Sequence, residues 1–436
     1  MRLQPFLGRI SYCRYLYLKR KVLTGPKLTS NYVSRACFCS SRHDVPNKLE
    51  HRSGSEGSFR PLVLGIETSC DDTGAAVVDD HGNVVGDALN SQTKTHVELG
   101  GIIPPIARDL HQKNIDSVVT QALELAIVNL QDLDAIAVTV KPGLALSLRV
   151  GLQHAKMLAQ QSGLPLIPIH HMEAHALTTR MIERVDFPFL VLLASGGHCL
   201  LAVARDVSDF LLLGTGLDDS PGDAFDKTAR QLKLKNLPEC EGLSGGAAIE
   251  LLAKGGNPRA FPFPQVMTQL PDCHFSFSGV KFAAKKLIEA EEARLNTSPS
   301  SVVSSAPDIC ASFQYAVLHH IARRLQRAFL FCELTNLLPK DKTLVVSGGV
   351  ASNSYLRSGL QQVCEMNSCN LVCPPPHLCT DNGIMIAWNG MEKLLQGTGC
   401  THDLETLDIE PRCPLGRDIS QEVIAAAIKL PRLKLR

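Results

Sequence analysis

Apolar residues return along this chain in two rhythms, and the two rhythms alternate in a fixed order. The run LVLGIETS (62–69) is an apolar strand that ends in hydroxyl side chains. GAAVVDD (74–80) and NVVGDALNSQ (83–92) follow after short turns, which predicts a three-stranded meander. Residues 109–130 then carry apolar side chains at helical spacing, and DAIAVTV (134–140) is again a strand. PGLALSLRVGLQHAKMLAQQSG (142–163) reads as a helix entered through glycine.

The same order recurs. PFLVLLASGGHCLLAVARD (188–206) predicts strand, small-residue turn and strand, and DFLLLG (209–214) supplies a third strand. SAPDICASFQYAVLHHIARRLQRAFLFCEL (305–334) is a long amphipathic helix, TLVVSGG (343–349) a strand and VASNSYLRSGLQQV (350–363) the helix after it. Even LRVGLQ at 148–153 rhymes with LRSGLQ at 356–361. An internal duplication follows, with one asymmetry. Ser69 to Gly143 spans 74 positions and Ser195 to Gly349 spans 154, so an insertion occupies about 215–300. A duplicated meander plus helix-and-strand unit, with a small-residue turn after each first strand, predicts an α/β protein of the actin, hexokinase and Hsp70-type ATPase fold. Two lobes (61–187 and 188–415) would flank a nucleotide cleft and a tail (416–436) would follow. In that architecture both turns aim backbone N–H groups at phosphates across the cleft.

Composition narrows the class. With 44% hydrophobic and 20% charged residues and no apolar run of bilayer length, a membrane-spanning protein is not expected. Residues 1–42 hold nine Lys and Arg, and the first acidic residue is Asp44, the pattern of a mitochondrial transit peptide. Residues 43–60 (HDVPNKLEHRSGSEGSFR) suit a linker, and NTSPSSVVSSAP (296–307) a mobile loop. Without the first 42 residues, 35 Lys and Arg face 43 Asp and Glu, so nucleic-acid binding must come from local patches. The basic groups Lys281/Lys285/Lys286 and Arg323/Arg324/Arg327 and the terminal KLPRLKLR read as solvated faces, and no RNA-binding module is present. Of 15 cysteines, Cys13, Cys37 and Cys39 fall in the leader and the rest form no CxxC pair, which favours small buried thiols over a zinc ribbon.

The chemistry concentrates in short motifs. In IHHMEAH (169–175), His171 and His175 are four apart and share one helix face, where both can reach one ion. A metalloprotease helix places its glutamate directly after the first histidine; Met172 stands there instead, and Glu173 points away from the ligand face. A lone histidine is more often a hydrogen-bonded core residue, but two in register beside a third weaken that reading. Asp381 in CTDNGIMIAW (379–388) is either a third ligand or a helix N-cap. LASGG (193–197) and GGVASN (348–353) are small enough for close approach to phosphates, and Asp226 and Glu250 suit ribose hydroxyls. Asp71 and Asp72 either hold a cation or substrate amine or solvate a hairpin turn.

GIETSCDDT (65–73), HHMEAH (170–175), LASGGH (193–198), GDAFDKTA (222–229), FSFSGVK (275–281), SGGVASN (347–353) and CTDNG (379–383) together resemble the tRNA N6-adenosine threonylcarbamoyltransferase family, in its mitochondrial branch, over about 62–415. The resemblance implies transfer of threonylcarbamoyl from threonylcarbamoyl-adenylate, made by a separate synthase, to the adenosine immediately 3′ of the anticodon in mitochondrial tRNAs reading ANN codons. It implies one divalent ion, iron or zinc, on His171, His175 and Asp381. Substrate contacts would come from Leu193, Ala194, Ser195, Gly196, Gly197, Asp226, Gly246, Glu250, Asn353 and Ser354. Asp71 or Asp72 would orient or deprotonate the amine, a matrix location follows, and a homodimer is compatible with it. Three positions depart from the family pattern: Ala174 for a bacterial Gly, Lys141 in the usual Gly-Pro-Gly turn, and the lengthened LKLKNLPECEG (232–242) before Gly245. The competing readings are an actin-like ATPase or small-molecule kinase, which has no need of His171, and a non-catalytic nucleotide-binding scaffold.

Overall fold

The computed structural model describes residues 60–99 and 101–435, so the expected transit peptide (1–42) and nearly all of the linker (43–60) lie outside the described residues. The first half runs β1 (Leu62–Glu67), β2 (Asp72–Asp79), β3 (Val84–Ser91), α1 (Thr93–Glu98), α2 (Pro104–Ala126), β4 (Ala135–Lys141), α3 (Ala145–Ser162), β5 (Leu166–His170) and α4 (His171–Ile182). The second runs β6 (Phe189–Ala194), β7 (Cys199–Asp206), β8 (Asp209–Thr215), α5 (Pro221–Gln231), α6 (Gly245–Ala253), α7 (Ser278–Arg294), α8 (Ala306–Thr335), β9 (Lys342–Ser347), α9 (Ser354–Met366), β10 (Cys369–Val372), α10 (Gly383–Leu395), β11 (Arg417–Asp418) and α11 (Ser420–Ala425).

The two sheets repeat one topology. The first has the order β3-β2-β1-β4-β5 and the second β10-β9-β6-β7-β8-β11. In each, the first strand is antiparallel to the second and parallel to the strand that follows the helix, as Leu64 lies opposite Val77 and Ile136, and Val191 opposite Ala202 and Val345. This is the duplicated α/β fold of the actin, hexokinase and Hsp70-type ATPases. Central strands covered on both faces explain why β1, β4 and β6 read as nearly continuous apolar runs rather than alternating ones. Helices α5, α6 and α7 fall between β8 and α8, where the spacing argument placed its extra residues.

Two helices lie between the sheets. Met172, Ala176 and Leu177 of α4 share a buried cluster with Phe189, Val191 and Ala202 of the second sheet. Ala174 joins Val63, Ala76 and Ala137 of the first sheet together with Ile384, Met385, Ala387 and Met391 of α10. Helix α10, expected with the second lobe, therefore packs on the first sheet. Its close approach explains the glycines there: a Cβ on Gly65 would lie 2.2 Å from the Ala387 nitrogen, and one on Gly383 2.4 Å from the Ala75 carbonyl carbon.

Two other expectations change. Residues 416–435, the expected tail, are docked, with β11 parallel to β8 and Val423, Leu433 and Leu435 buried, so KLPRLKLR is not a wholly solvated face. The arginines of α8 are not a solvated face. Arg324, 1% exposed, donates to the carbonyls of His274 and Met267 at 2.8 Å each, and Arg327 to that of Asp272 at 2.6 Å. The helix spends them on satisfying the irregular segment 267–274 that packs over it. All twelve described cysteines are free and seven are buried, in keeping with thiols used as core packing.

Candidate active site

The three adjacent-looking histidines separate in the fold. His170 ends β5 and caps α4, its Nδ1 accepting from the Met172 N–H at 3.2 Å. That bond needs a neutral ring, and burial, aided by the Lys141 charge, lowers the His170 pKa to about 4. His171 and His175 lie one turn apart on α4, ring centroids 4.6 Å apart, and both aim Nε2 at one oxygen. Asp381 Oδ1 is 3.0 Å from His175 Nε2 and 3.4 Å from His171 Nε2. The N-cap alternative for Asp381 is excluded, because Asn382 caps α10 by accepting from the Met385 N–H at 2.8 Å. Glu173 is turned elsewhere and pairs with Lys393 at 3.0 Å.

Behind this triangle stands a residue that sequence reasoning missed. Glu67, fully buried at the end of β1, accepts from Thr139 Oγ1 at 2.6 Å and from the Ser69 N–H. Its Oε2 lies 3.1 Å from His171 Nδ1. A carboxylate on Nδ1 fixes the tautomer that leaves Nε2 free to ligate. Burial opposes the charges here, yet Asp381 and Glu67 together raise the His171 pKa to about 10, so without an ion the ring keeps a proton on Nε2 that a metal would displace. The same imidazole holds both Glu67 and Asp381 below the ordinary carboxylate range against the cost of burial. The available signal was an ionisable residue closing an apolar run with both neighbouring strands apolar, a position that burial makes expensive unless paired.

The donor set passes a direct test of fit for a divalent ion. One ligand atom from each of His171, His175 and Asp381 lies within 4.8 Å of the others. Four carboxylates, Glu67, Asp71, Asp72 and Asp381, crowd the same region. Asp72 opens β2, and burial, with Asp71, Asp381 and Glu67, raises its pKa to about 7 against the opposing Ser91 bond. One of its oxygens is buried without a partner. The turn that bears it is pinned by a second missed residue. His111 of α2, fully buried, puts Nδ1 2.7 Å from Thr73 Oγ1 and Nε2 3.1 Å from the Cys70 carbonyl.

The expected nucleotide contacts fall into three groups. Leu193 and Ala194 are buried in β6, so they offer backbone, while a Cβ on Gly196 or Gly197 would meet nothing within 4 Å. Ser195 holds that turn by accepting from the N–H groups of Gly197 at 3.3 Å and His198 at 3.0 Å, and Ser220, the α5 N-cap, donates to the Gly196 carbonyl. Gly348, with φ +98°, lies against β6, where a Cβ would come within 2.4 Å of the Ala194 oxygen, and thus brings the second glycine turn beside the first. Asp226 faces the N–H groups of Gly246 and Gly245 at the start of α6, and burial, the largest influence, raises its pKa. Glu250 accepts from the Ser354 N–H at 2.9 Å and from its hydroxyl. Asn353 is already engaged at both ends, capping α9 through the Leu356 N–H and donating to Gln314 at 2.8 Å.

Electrostatics link the glycine turn to the histidines. His198, which closes the turn, has its pKa lowered to about 4 by desolvation and then by the His171 charge, with Asp381 opposing. The triangle, the open glycine turn and a carboxyl near neutrality thus make a constellation of the kind that group transfer uses.

Comparison with known proteins agrees with this chemistry. The family model described as tRNA N6-adenosine threonylcarbamoyltransferase matches residues 83–388. The chain is 56% identical over 379 residues to "tRNA N6-adenosine threonylcarbamoyltransferase, mitochondrial" of Mus musculus, covering 87% of this chain and 92% of that protein. It is 54% identical over 375 residues to the Homo sapiens protein of the same name, covering 86% and 91%. Against the Danio rerio protein of that name the figures are 52% over 391 residues, with 88% and 97% covered. A match of this length and identity, over a site built for such a transfer, makes the chain a transferase that belongs to the tRNA N6-adenosine threonylcarbamoyltransferase family.

Proposed function

We propose that this enzyme transfers the threonylcarbamoyl group of threonylcarbamoyl-adenylate to N6 of the adenosine immediately 3′ of the anticodon, in mitochondrial tRNAs that read ANN codons, within the matrix. The observation that carries the reading is the convergence of His171, His175 and Asp381 on one point, backed by Glu67. Two imidazoles and a carboxylate suit iron or zinc, and when bound the ion supplies Lewis-acid polarisation and a counter-charge for the phosphate.

The chain's own residues do the rest. The donor is a mixed anhydride and already activated, so positioning dominates. The open turn over Gly196 and Gly197 receives the phosphate through the Gly196 N–H, unpaired among the described residues, and Asp226 and Glu250 address the ribose. The N6 nitrogen attacks the carbamoyl carbon, the bond from that carbon to the phosphate oxygen breaks, and AMP departs with the electron pair. The proton lost from N6 passes to Asp72, whose pKa near 7 suits a group that must accept it. Asp71 beside it orients the amine. The lobes at 61–187 and 188–415, with α10 returned to the first, are read as the two walls of the cleft, a separate synthase supplies the adenylate, and a homodimer is compatible with the reading.

The test mixes residues 43–436 with threonine, bicarbonate, ATP, a synthase and unmodified mitochondrial tRNA, and reads the nucleosides by mass spectrometry. Threonylcarbamoyladenosine should appear, and His175→Ala should abolish it in a folded protein. No modified adenosine beside a positive family enzyme sinks the reading, and steady ATP turnover without tRNA would favour the kinase alternative. Fusing residues 1–60 to a fluorescent reporter tests the destination, with diffuse cytosolic signal as the contrary result.

A further inference from the structure

One face of α8 carries Tyr315, His319 and Arg323 at helical spacing, and it is not the face that holds Gln314 against Asn353. These side chains line a cavity of about 210 Å³ whose opposite wall is the segment around Phe261 and Phe263, with Arg259 at its edge. That volume is far above the ~10–15 Å³ that one water requires. None of the residues assigned to transfer lines it.

The charge of this cavity is unbalanced. Arg324 and Arg327 are spent on carbonyls, but Arg323 has no hydrogen bond or ion pair among the described residues, and its Nε–H is buried without a partner. Arg323 also repels its neighbours, adding to the burial that lowers the pKa of His319. Asp272, 3.8 Å from Arg324, is the one carboxylate paired with any of Arg259, Arg323, Arg324 and Arg327 among the described residues. A buried guanidinium N–H is costly unless an acceptor meets it, and a planar guanidinium matches phosphate oxygens best. The remaining walls are aromatic, with the Tyr315 and His319 rings 6.1 Å apart. Cationic groups beside aromatic faces are how proteins hold single nucleotides, the base stacked and the phosphate on arginine. An acidic peptide would satisfy the arginines but has no use for the rings.

We propose that this cavity binds a nucleoside monophosphate unit, its base against Tyr315, Phe261 and Phe263 and its phosphate on Arg323 and Arg259. The unit belongs either to the RNA chain of the substrate or to a free adenine nucleotide. The proposal rests on the function above only in that a tRNA is bound, and its readouts need no turnover.

The test uses the full metal-loaded enzyme with Arg323→Gln and Arg259→Ala, the second an exposed residue that donates to the Leu435 carbonyl at 3.4 Å, and melting temperatures serve as the folding control. Filter binding of a tRNA transcript at several salt concentrations forms one arm, and equilibrium dialysis of AMP the other. If the RNA supplies the unit, each variant weakens tRNA binding about tenfold and lowers the salt slope by about 0.7–0.9 per phosphate contact, with kcat at saturating tRNA unchanged. If free nucleotide supplies it, AMP stoichiometry falls by one equivalent and tRNA affinity holds. The proposal is overturned if folded variants keep both properties within twofold. It is equally overturned if an acidic peptide, and neither nucleotide probe, distinguishes wild type from Arg323→Gln.

Discussion

Glu67→Gln changes one atom of a fully buried side chain and should cost the enzyme its metal before its fold. In the native protein the carboxylate receives three groups: the Ser69 N–H on one oxygen, and Thr139 Oγ1 and His171 Nδ1 on the other. Glutamine keeps the volume but offers one acceptor and one NH2. If its oxygen faces Thr139 and His171, the NH2 confronts the Ser69 N–H and strands that donor, at about 1–3 kcal/mol; if it is flipped, His171 Nδ1 loses the carboxylate and is left with Ser69 Oγ, 3.1 Å away. The negative charge that keeps Nε2 basic is gone as well. Loss of such an outer carboxylate weakens metal binding 10–100-fold, or about 1.4–2.8 kcal/mol at 1.4 kcal/mol per tenfold. Competition titration against a chelator of known affinity measures this directly, and the melting temperature of metal-free protein serves as the folding control. A variant that binds metal within twofold of wild type while melting normally would refute the orienting role.

Other expectations follow from the same geometry. His170→Ala should cost about 1 kcal/mol through the lost α4 cap and leave metal binding near wild type, whereas His175→Ala should abolish it; urea unfolding and metal analysis separate the two. Gly383→Ala would force a Cβ to 2.4 Å from the Ala75 backbone, so a loss of about 1–3 kcal/mol and weaker metal binding, through displacement of nearby Asp381, should appear in melts and titrations. Activity should rise with pH through about 7 as Asp72 loses its proton, and Asp72→Asn should flatten the profile. Because burial raises the folded pKa of Asp72 above its unfolded value, its charge works against folding once pH exceeds that value. Asp72→Asn should therefore stabilise the protein relative to wild type above pH 7, with the gain fading toward pH 4, as melts across that range will report.

Much of the architecture was legible because its signals are local. Strand runs such as DAIAVTV and the repeated LR-x-GLQ helices carry their period within a dozen residues, and the duplication then multiplies each signal by two. The i, i+4 spacing of His171 and His175 was readable for the same reason. What stayed hidden depends on contacts between distant segments. Nothing in CTDNG says that Asn382 takes the cap and frees Asp381. His170 and His171 are chemically identical in the sequence, and only the bend from β5 into α4 gives one the cap and the other a place in the triangle with Asp381. Glu67 gives no local sign of its role because its partner, His171, lies 104 residues on. The α8 arginines looked solvated because the segment that covers them, 267–274, has no periodicity to announce it.

The return of α10 to the first sheet has a consequence for how the protein comes into being. His175 and Asp381 are 206 residues apart in sequence, so a chain that stops after the first duplicated half carries both histidines and lacks the carboxylate that completes the triangle. Assembly of the triangle thus waits for nearly the whole polypeptide, because a long loop must close before it forms. On the metal role proposed above, truncated chains would fail to hold the ion, and metal content would report completed synthesis.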